Sequence, residues 1–133
     1  MMFDTIDCKT TSDGIAAGKS YAERPASVLE LKHLRTYTLG MADLEREILG
    51  LFLEQLPKSQ AALNGAASAK DWHMAAHTLK GSALAVGANR LASIGAAAEA
   101  TDCTAGAARA AVLTQVAQAI DEVEAEISRL GLI

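Results

Sequence analysis

The side chains that could do chemistry lie close together in one stretch of residues 73–87. In this stretch His77 is followed by Lys80 after three positions and by Gly81 after four. On a helix these spacings bring the three residues to one patch of surface. An uncharged imidazole is a nucleophile near neutral pH, and an ammonium group beside it can hold an anion. The spacing therefore indicates a histidine that is transiently phosphorylated.

Gly81 is the unusual residue of the stretch. A glycine inside a helix costs on the order of 1 kcal/mol relative to alanine, and 28 of the 133 residues are alanine. Since alanine is used so freely elsewhere, we interpret Gly81 as a position that must have no side chain, so that a large partner can approach the His77 ring. A close contact between helices is the alternative, and it is the interpretation that we favour for Gly95.

The elements that must position this stretch are predicted to be helices. The chain is 50% hydrophobic but only 4% aromatic, and a composition rich in alanine favours helices over strands. The helix that carries His77 is predicted to begin at Asp71 as its N-cap, to run to Val86 and to end at Gly87. Its inner face is predicted to hold Trp72, Ala75, Ala76, Leu79, Ala83 and Val86.

Four further helices follow from the spacing of apolar residues. Ser27 and Glu30 fit a capping box before a short helix that ends near Gly40. A helix over residues 43–67 is expected to kink or divide at Pro57. Its inward positions are predicted to be Leu44, Ile48, Leu51, Phe52, Leu56 and Leu63. A helix over residues 89–101 buries Leu91, Ile94, Gly95 and Ala98.

The last helix has the clearest pattern. Its apolar residues recur at steps of three and four, its acidic run of residues 121–126 lies between them on a solvated face, and Gly131 ends it. The inward residues are Leu113, Val116, Ile120, Val123, Ile127 and Leu130. The pattern predicts an all-α fold, an antiparallel four-helix up-and-down bundle with an additional short N-terminal helix across one end. This domain spans residues 26–133, after a flexible N-terminal arm of residues 1–25.

Composition and charge exclude several classes of function. The chain has 12 basic and 16 acidic residues, a net charge of −4, which argues against nucleic-acid binding. Residues 70–90 are the exception, with a net charge of +2. Cys8 and Cys103 are too isolated for a disulfide framework, and neither a secretory signal nor a membrane span is visible. We therefore expect a soluble cytoplasmic protein with no membrane partner.

The stretch around His77 resembles the histidine phosphotransfer (HPt) domains of multistep phosphorelays. The hallmark of that family has histidine, leucine, lysine, glycine and serine at fixed spacing, followed by a Gly-Ala pair and a leucine. It is matched by His77, Leu79, Lys80, Gly81, Ser82, Gly87, Ala88 and Leu91. The pair Ala76-His77 and the segments of residues 51–53 and 56–57 also look like the family, and the resemblance covers about residues 27–130.

The resemblance implies a phosphoryl carrier without kinase activity or a nucleotide site of its own. It makes His77 the phosphoacceptor, Lys80 the residue that stabilises the phosphoryl group and Gly81 the residue that gives access to the imidazole. The partners it implies are receiver domains of response regulators or of a hybrid histidine kinase. It implies no cofactor bound by this chain, because Mg²⁺ comes with the receiver domain. We expect His73, Ser82 and Leu84 to contact the partner, and we expect a monomer.

Three alternatives stay open at this point. The protein could be a helical adaptor that docks a signalling partner without being phosphorylated. It could be an enzyme with its own activity, although it has no phosphate-binding loop and no glycine-rich dinucleotide motif. His73 and His77 are also spaced as two metal ligands on one helix, but they lack the intervening glutamate of a zinc-protease helix and an evident third ligand.

Overall fold

The computed structural model describes residues 27–132, and every regular element in this range is a helix. The helices are α1 (Leu31–Thr38), α2 (Ala42–Asn64), α3 (Ala69–Val86), α4 (Asn89–Ala100) and α5 (Gly106–Arg129). The prediction of an all-α fold is confirmed. The predicted N-terminal arm of residues 1–25 and Cys8 lie outside the described residues.

Helix α3 lies at the centre of the packing. It packs against α4 and α2, α5 packs against α4 and α2, and α1 lies on α2 and α3. Trp72 is the largest fully buried side chain, and alanine and glycine on α3 and α4 let these two helices approach closely. The small buried residues of the two helices include Ala76, Ala83, Ala92, Gly95 and Ala98.

Two predicted helix starts are wrong, and both differences come from hydrogen bonds. Ser27 and Glu30 do not form a capping box, because both accept hydrogen bonds from the side-chain amide of Asn89, at 3.0 and 2.9 Å. Helix α1 then starts at Leu31 without a side-chain cap. Helix α3 has Ser68 as its N-cap rather than Asp71, since the Ser68 hydroxyl accepts from the Asp71 N–H at 3.1 Å.

Helix α2 is continuous through Pro57, so it does not divide there, and the kink stays a prediction. One of its predicted inward positions is wrong. Leu51 was predicted to face inward but is 60% exposed, whereas Leu49 is fully buried. The buried positions Leu49, Phe52, Leu56 and Leu63 follow the helical period, which puts Leu51 on the opposite face.

Helix α3 ends at Gly87 as predicted, and the structure shows why glycine is needed there. Gly87 has a φ of +83°, and a Cβ at this position would lie 2.5 Å from the carbonyl oxygen of Glu30. The Glu30 N–H in turn donates to the Gly87 carbonyl at 2.8 Å. The segment before α1 is thereby held against the turn between α3 and α4.

The prediction for α5 is largely confirmed. Val116, Ile120, Val123 and Ile127 are buried, and Leu113 is half-buried. The helix ends at Arg129, just before Leu130 and Gly131. No helix within residues 27–132 is both long and apolar enough to cross a membrane. Cys103 is buried.

Candidate functional site

His77 lies on the outer side of α3, and 65% of its side chain is exposed. One of its ring nitrogens contacts a residue of α4. Its Nδ1 lies 3.0 Å from Oε2 of Glu99. A carboxylate only accepts hydrogen bonds, so this contact favours a ring with its proton on Nδ1. In the neutral form of such a ring, Nε2 has the lone pair.

Glu99, on α4, contacts three of the candidate site residues on α3. Its side chain is only 8% exposed, and Oε1 lies 2.5 Å from the ammonium nitrogen of Lys80. Oε2, besides contacting His77, lies 3.8 Å from Nε2 of His73. A buried carboxylate must be compensated by hydrogen bonds or opposite charge, and α3 supplies both. Three residues that the sequence singled out, His73, His77 and Lys80, are thus brought together by one carboxylate.

The sequence analysis missed Glu99, although a signal for it was present. Glu99 follows Leu91 and Gly95 at steps of four, so it lies on the stripe of α4 that packs against α3. All other buried residues of α4 are apolar or glycine. An acidic residue on a buried stripe is expected to have a partner across the interface, and this expectation points to the residues of α3.

Lys80 and Gly81 differ in what surrounds them. The Lys80 ammonium group was expected beside the phosphoryl group, and the structure places it on Glu99 with 19% of the side chain exposed. Gly81 is exposed, and a Cβ added there would have no atom within 4 Å apart from its own helix backbone and chain neighbours. The alternative that Gly81 serves a close helix contact is therefore wrong.

Gly95 does make the close contact that was predicted for it. A Cβ at this position would lie 3.1 Å from Cα and Cβ of Lys80 and 3.2 Å from its backbone nitrogen. Helix α4 therefore approaches the backbone of α3 directly at Lys80. Glu99 lies one turn further along α4, and this close approach lets its side chain reach the site residues of α3.

The three residues predicted to contact a partner have different surroundings. The His73 ring stacks on the His77 ring, with centroids 6.2 Å apart and planes at 16°. Ser82 and Leu84 are half-buried and lie further along α3, beyond the group around Glu99. Contact of these residues with a partner stays a prediction.

The local positive charge is smaller than the sequence count of +2 for residues 70–90 indicated. Lys80 is paired with Glu99, and the Arg90 guanidinium donates to both carboxylate oxygens of Glu122 on α5 at 3.1 Å. Both acidic partners lie outside residues 70–90, so a count over that window could not include them. Electrostatic attraction of an acidic partner is correspondingly weaker than the count suggested.

The described residues contain no group of three or more potential ligands that could hold a metal ion. The part of the chain in residues 27–132 thus gives no support to the metal-binding alternative.

In the comparison with known families, the chain matches the model of the Hpt domain over residues 47–131. The match spans nearly two thirds of the chain and includes all of α3, α4 and α5. The chain therefore belongs to the Hpt domain family, the histidine phosphotransfer domains of two-component phosphorelays, which are phosphocarrier modules and not kinases. Neither the curated proteins nor the solved structures provide a significant match.

Proposed function

We propose that this protein is a phosphorelay intermediate that accepts a phosphoryl group on His77 from the aspartyl phosphate of one receiver domain and passes it to another. The observation that supports this proposal best is the exposed His77 ring whose Nδ1 is held by the buried Glu99 carboxylate. This hydrogen bond leaves Nε2 as the nucleophile. The family membership supplies the class of reaction.

The transfer step follows from this arrangement. The Nε2 lone pair attacks phosphorus, and the bond from phosphorus to the aspartate oxygen breaks, with its electron pair returning to the aspartate carboxylate. The ring, which then carries both an Nδ1 proton and an Nε2–phosphorus bond, is positively charged, and the Glu99 carboxylate stabilises that charge. Positioning and charge neutralisation of this kind provide most of the catalysis in phosphoryl transfer. The reverse step on a second receiver returns the ring to its neutral form.

Lys80 and Gly81 have supporting roles in the proposal. Lys80 balances the buried charge of Glu99 and lies one turn from His77, within reach of the phosphoryl group by a change of rotamer. Gly81 leaves open space on the surface of α3 beside the imidazole, which the receiver domain occupies. Mg²⁺ belongs to the acidic pocket of the receiver, and the proposal requires no cofactor on this chain.

The proposal includes the setting in which the protein works. Its partners are receiver domains of response regulators or of a hybrid histidine kinase, which it meets as a monomer in the cytoplasm. The four long helices α2 to α5 are arranged up and down as an antiparallel bundle, with α1 across one end. In this arrangement one face of α3 is left for the partner.

The test uses a receiver domain phosphorylated with radiolabelled phosphate. The wild-type protein is expected to take up label that is labile in acid and stable in base. His77→Gln is expected to take up none, while its circular dichroism spectrum stays helical. His33→Gln is the matched control, because His33 lies on α1 away from Glu99 and stacks edge-on against Tyr37.

Other outcomes separate the alternatives. Label on His77→Gln would contradict the assignment of the phosphoacceptor. Binding of the receiver without any transfer of label would favour the adaptor. Labelling of the protein by a nucleotide alone would favour an enzyme with its own activity.

A further inference from the structure

Helix α4 is fixed to α3 at two levels, with His77 between them. At one level Gly95 packs against the backbone of Lys80. At the other the indole N–H of Trp72 donates a hydrogen bond of 2.7 Å to the carbonyl oxygen of Ala98. Trp72 and Lys80 are eight residues apart, about 12 Å along a helix. Glu99 directly follows Ala98 on α4, and its carboxylate contacts His77 and Lys80 on α3.

The hydrogen bond from Trp72 acts at the end of α4. Ala98 is among the last four residues of that helix, and its carbonyl oxygen accepts from the indole and also, at 3.1 Å, from the N–H of Thr101, the residue that caps the helix. Ala98 directly precedes Glu99. Both Trp72 and Ala98 are fully buried, so water does not compete for this bond. The bond therefore ties the backbone next to Glu99 directly to α3.

Trp72 is itself held in place from the other side. The Arg109 guanidinium lies 4.8 Å from the centre of the indole ring. The same group donates to the carbonyl oxygens of Asn64 at 3.2 Å and Ala66 at 2.8 Å. These bonds fix Arg109 to the end of α2, and a cation over an aromatic face is attracted to it. The indole is thus confined between α4 and an arginine that cannot move freely.

We propose that Trp72 is a positioning residue for phosphoryl transfer, which holds the end of α4 through Ala98 so that Glu99 stays within hydrogen-bond distance of His77. Loss of the indole N–H lets the end of α4 shift, and Glu99 then holds Nδ1 less firmly. The fraction of His77 that carries its proton on Nδ1 falls, and with it the fraction that has a nucleophilic Nε2. This proposal rests on the proposed function of His77.

The chain contains one tryptophan. A tryptophan analogue incorporated throughout the protein therefore changes Trp72 alone. Expression in a host that cannot make tryptophan, supplied with β-(3-benzothienyl)alanine, replaces the indole N–H by sulfur and keeps the bicyclic shape. We expect the rate of phosphorylation by a labelled receiver to fall about tenfold, as small displacements of reacting groups can cause. Nitrogen-15 spectra of the His77 ring are expected to show a mixture of the two tautomers. Trp72→Phe should change both in the same direction.

Two controls separate positioning from a general structural effect. Thr38→Val removes another buried donor, the hydroxyl that donates to Glu45 at 3.3 Å, and is expected to leave the rate and the tautomer unchanged. In a Glu99→Gln background the benzothienyl replacement is expected to change the rate less than about twofold, since residues that act through one another are not additive.

The outcomes distinguish this proposal from the one on which it rests. An unchanged rate and tautomer after the benzothienyl replacement would overturn the role of Trp72, as would a tenfold loss that persists in the Glu99→Gln background. A wild-type protein that takes up no label would overturn the proposed function and with it any role of Trp72 in transfer. The tautomer spectra would still show whether Trp72 positions Glu99.

Discussion

Gly81 and Gly95 lie in neighbouring helices, one turn from the two central residues of the site, yet their surroundings are opposite. Gly81 follows His77 by four positions and borders open space, whereas Gly95 precedes Glu99 by four positions and touches the backbone of Lys80. The missing side chain at Gly95 brings Glu99 to the inner side of the site. The missing side chain at Gly81 leaves the outer side open for a partner.

In the proposed transfer, the two glycines serve opposite halves of the site. The inner half would need to be rigid, because Glu99 holds one nitrogen of His77 there. The outer half would need to be accessible, because the proposed reaction brings a phosphoryl group on a second protein to the other nitrogen. Substitutions at the two glycines should therefore affect stability and transfer in different proportions.

The largest effect is expected for Gly95→Val. Its Cβ would lie 3.1 Å from Cα of Lys80, and the added methyl groups force α4 away from α3. We expect the free energy of unfolding, measured by urea denaturation, to fall by about 3 kcal/mol, as in overpacked cores. Gly81→Val is the matched control and should keep wild-type stability. Equal stability of the two variants would show that the contact at Gly95 is not tight.

Glu99→Gln is expected to have the next largest effect, and mainly on transfer. The amide has no charge to stabilise the phosphorylated imidazole ring, so we expect the transfer rate to fall about tenfold, as when a residue that orients a functional histidine is changed. Glu122→Gln, which changes an exposed carboxylate paired with Arg90, should transfer at the wild-type rate. A similar rate for both variants would remove Glu99 from the site.

Gly81→Ala should raise stability and lower transfer. The added methyl group meets no neighbour, and alanine favours the helix, so the free energy of unfolding should rise by up to about 1 kcal/mol. The same methyl group narrows the approach to His77, and the second-order rate constant with the receiver should fall. A variant that is more stable and transfers at an unchanged rate would contradict the role of Gly81 in access.

His73→Gln is expected to have the smallest effect. Its ring nitrogen lies 3.8 Å from Glu99, and 43% of its side chain is exposed, so any ion pair is weak, at most about 1 kcal/mol. We expect the transfer rate to change less than about threefold. A loss as large as that of Glu99→Gln would mean that His73 takes part in the transfer itself.

Local patterns in the sequence predicted much of the fold and the residues of the candidate site that lie on α3, but not Glu99 on α4. The helical period identified the inner face of α3 from Trp72 to Val86, and the spacing of His77 and Gly81 placed both on the exposed surface of that helix. These features depend only on neighbours within one helix. The positive φ at Gly87 is similarly local, since glycine is the residue that commonly ends a helix in this way.

The missed features depend on contacts between distant segments. Glu99 meets His77 only because α3 and α4 pack in one register, and that register depends on Gly95. The amide of Asn89 takes the side chains of Ser27 and Glu30 away from the cap that their spacing suggested. Periodicity within a helix does not contain this information, although a carboxylate on a buried stripe indicates that a partner exists.

In the proposed transfer, Glu99 holds Nδ1 and leaves Nε2 of His77 to accept the phosphoryl group. The most direct test is the nitrogen-15 and phosphorus-31 spectrum of the protein after phosphorylation by a receiver domain, with nitrogen-15 in the histidine rings. The arrangement predicts a single phosphohistidine with phosphorus bonded to Nε2 of His77, and a proton on Nδ1. Phosphorus bonded to Nδ1 would show that Glu99 does not reserve Nε2 for the reaction, and phosphorus on any other residue would show that His77 is not the phosphoacceptor.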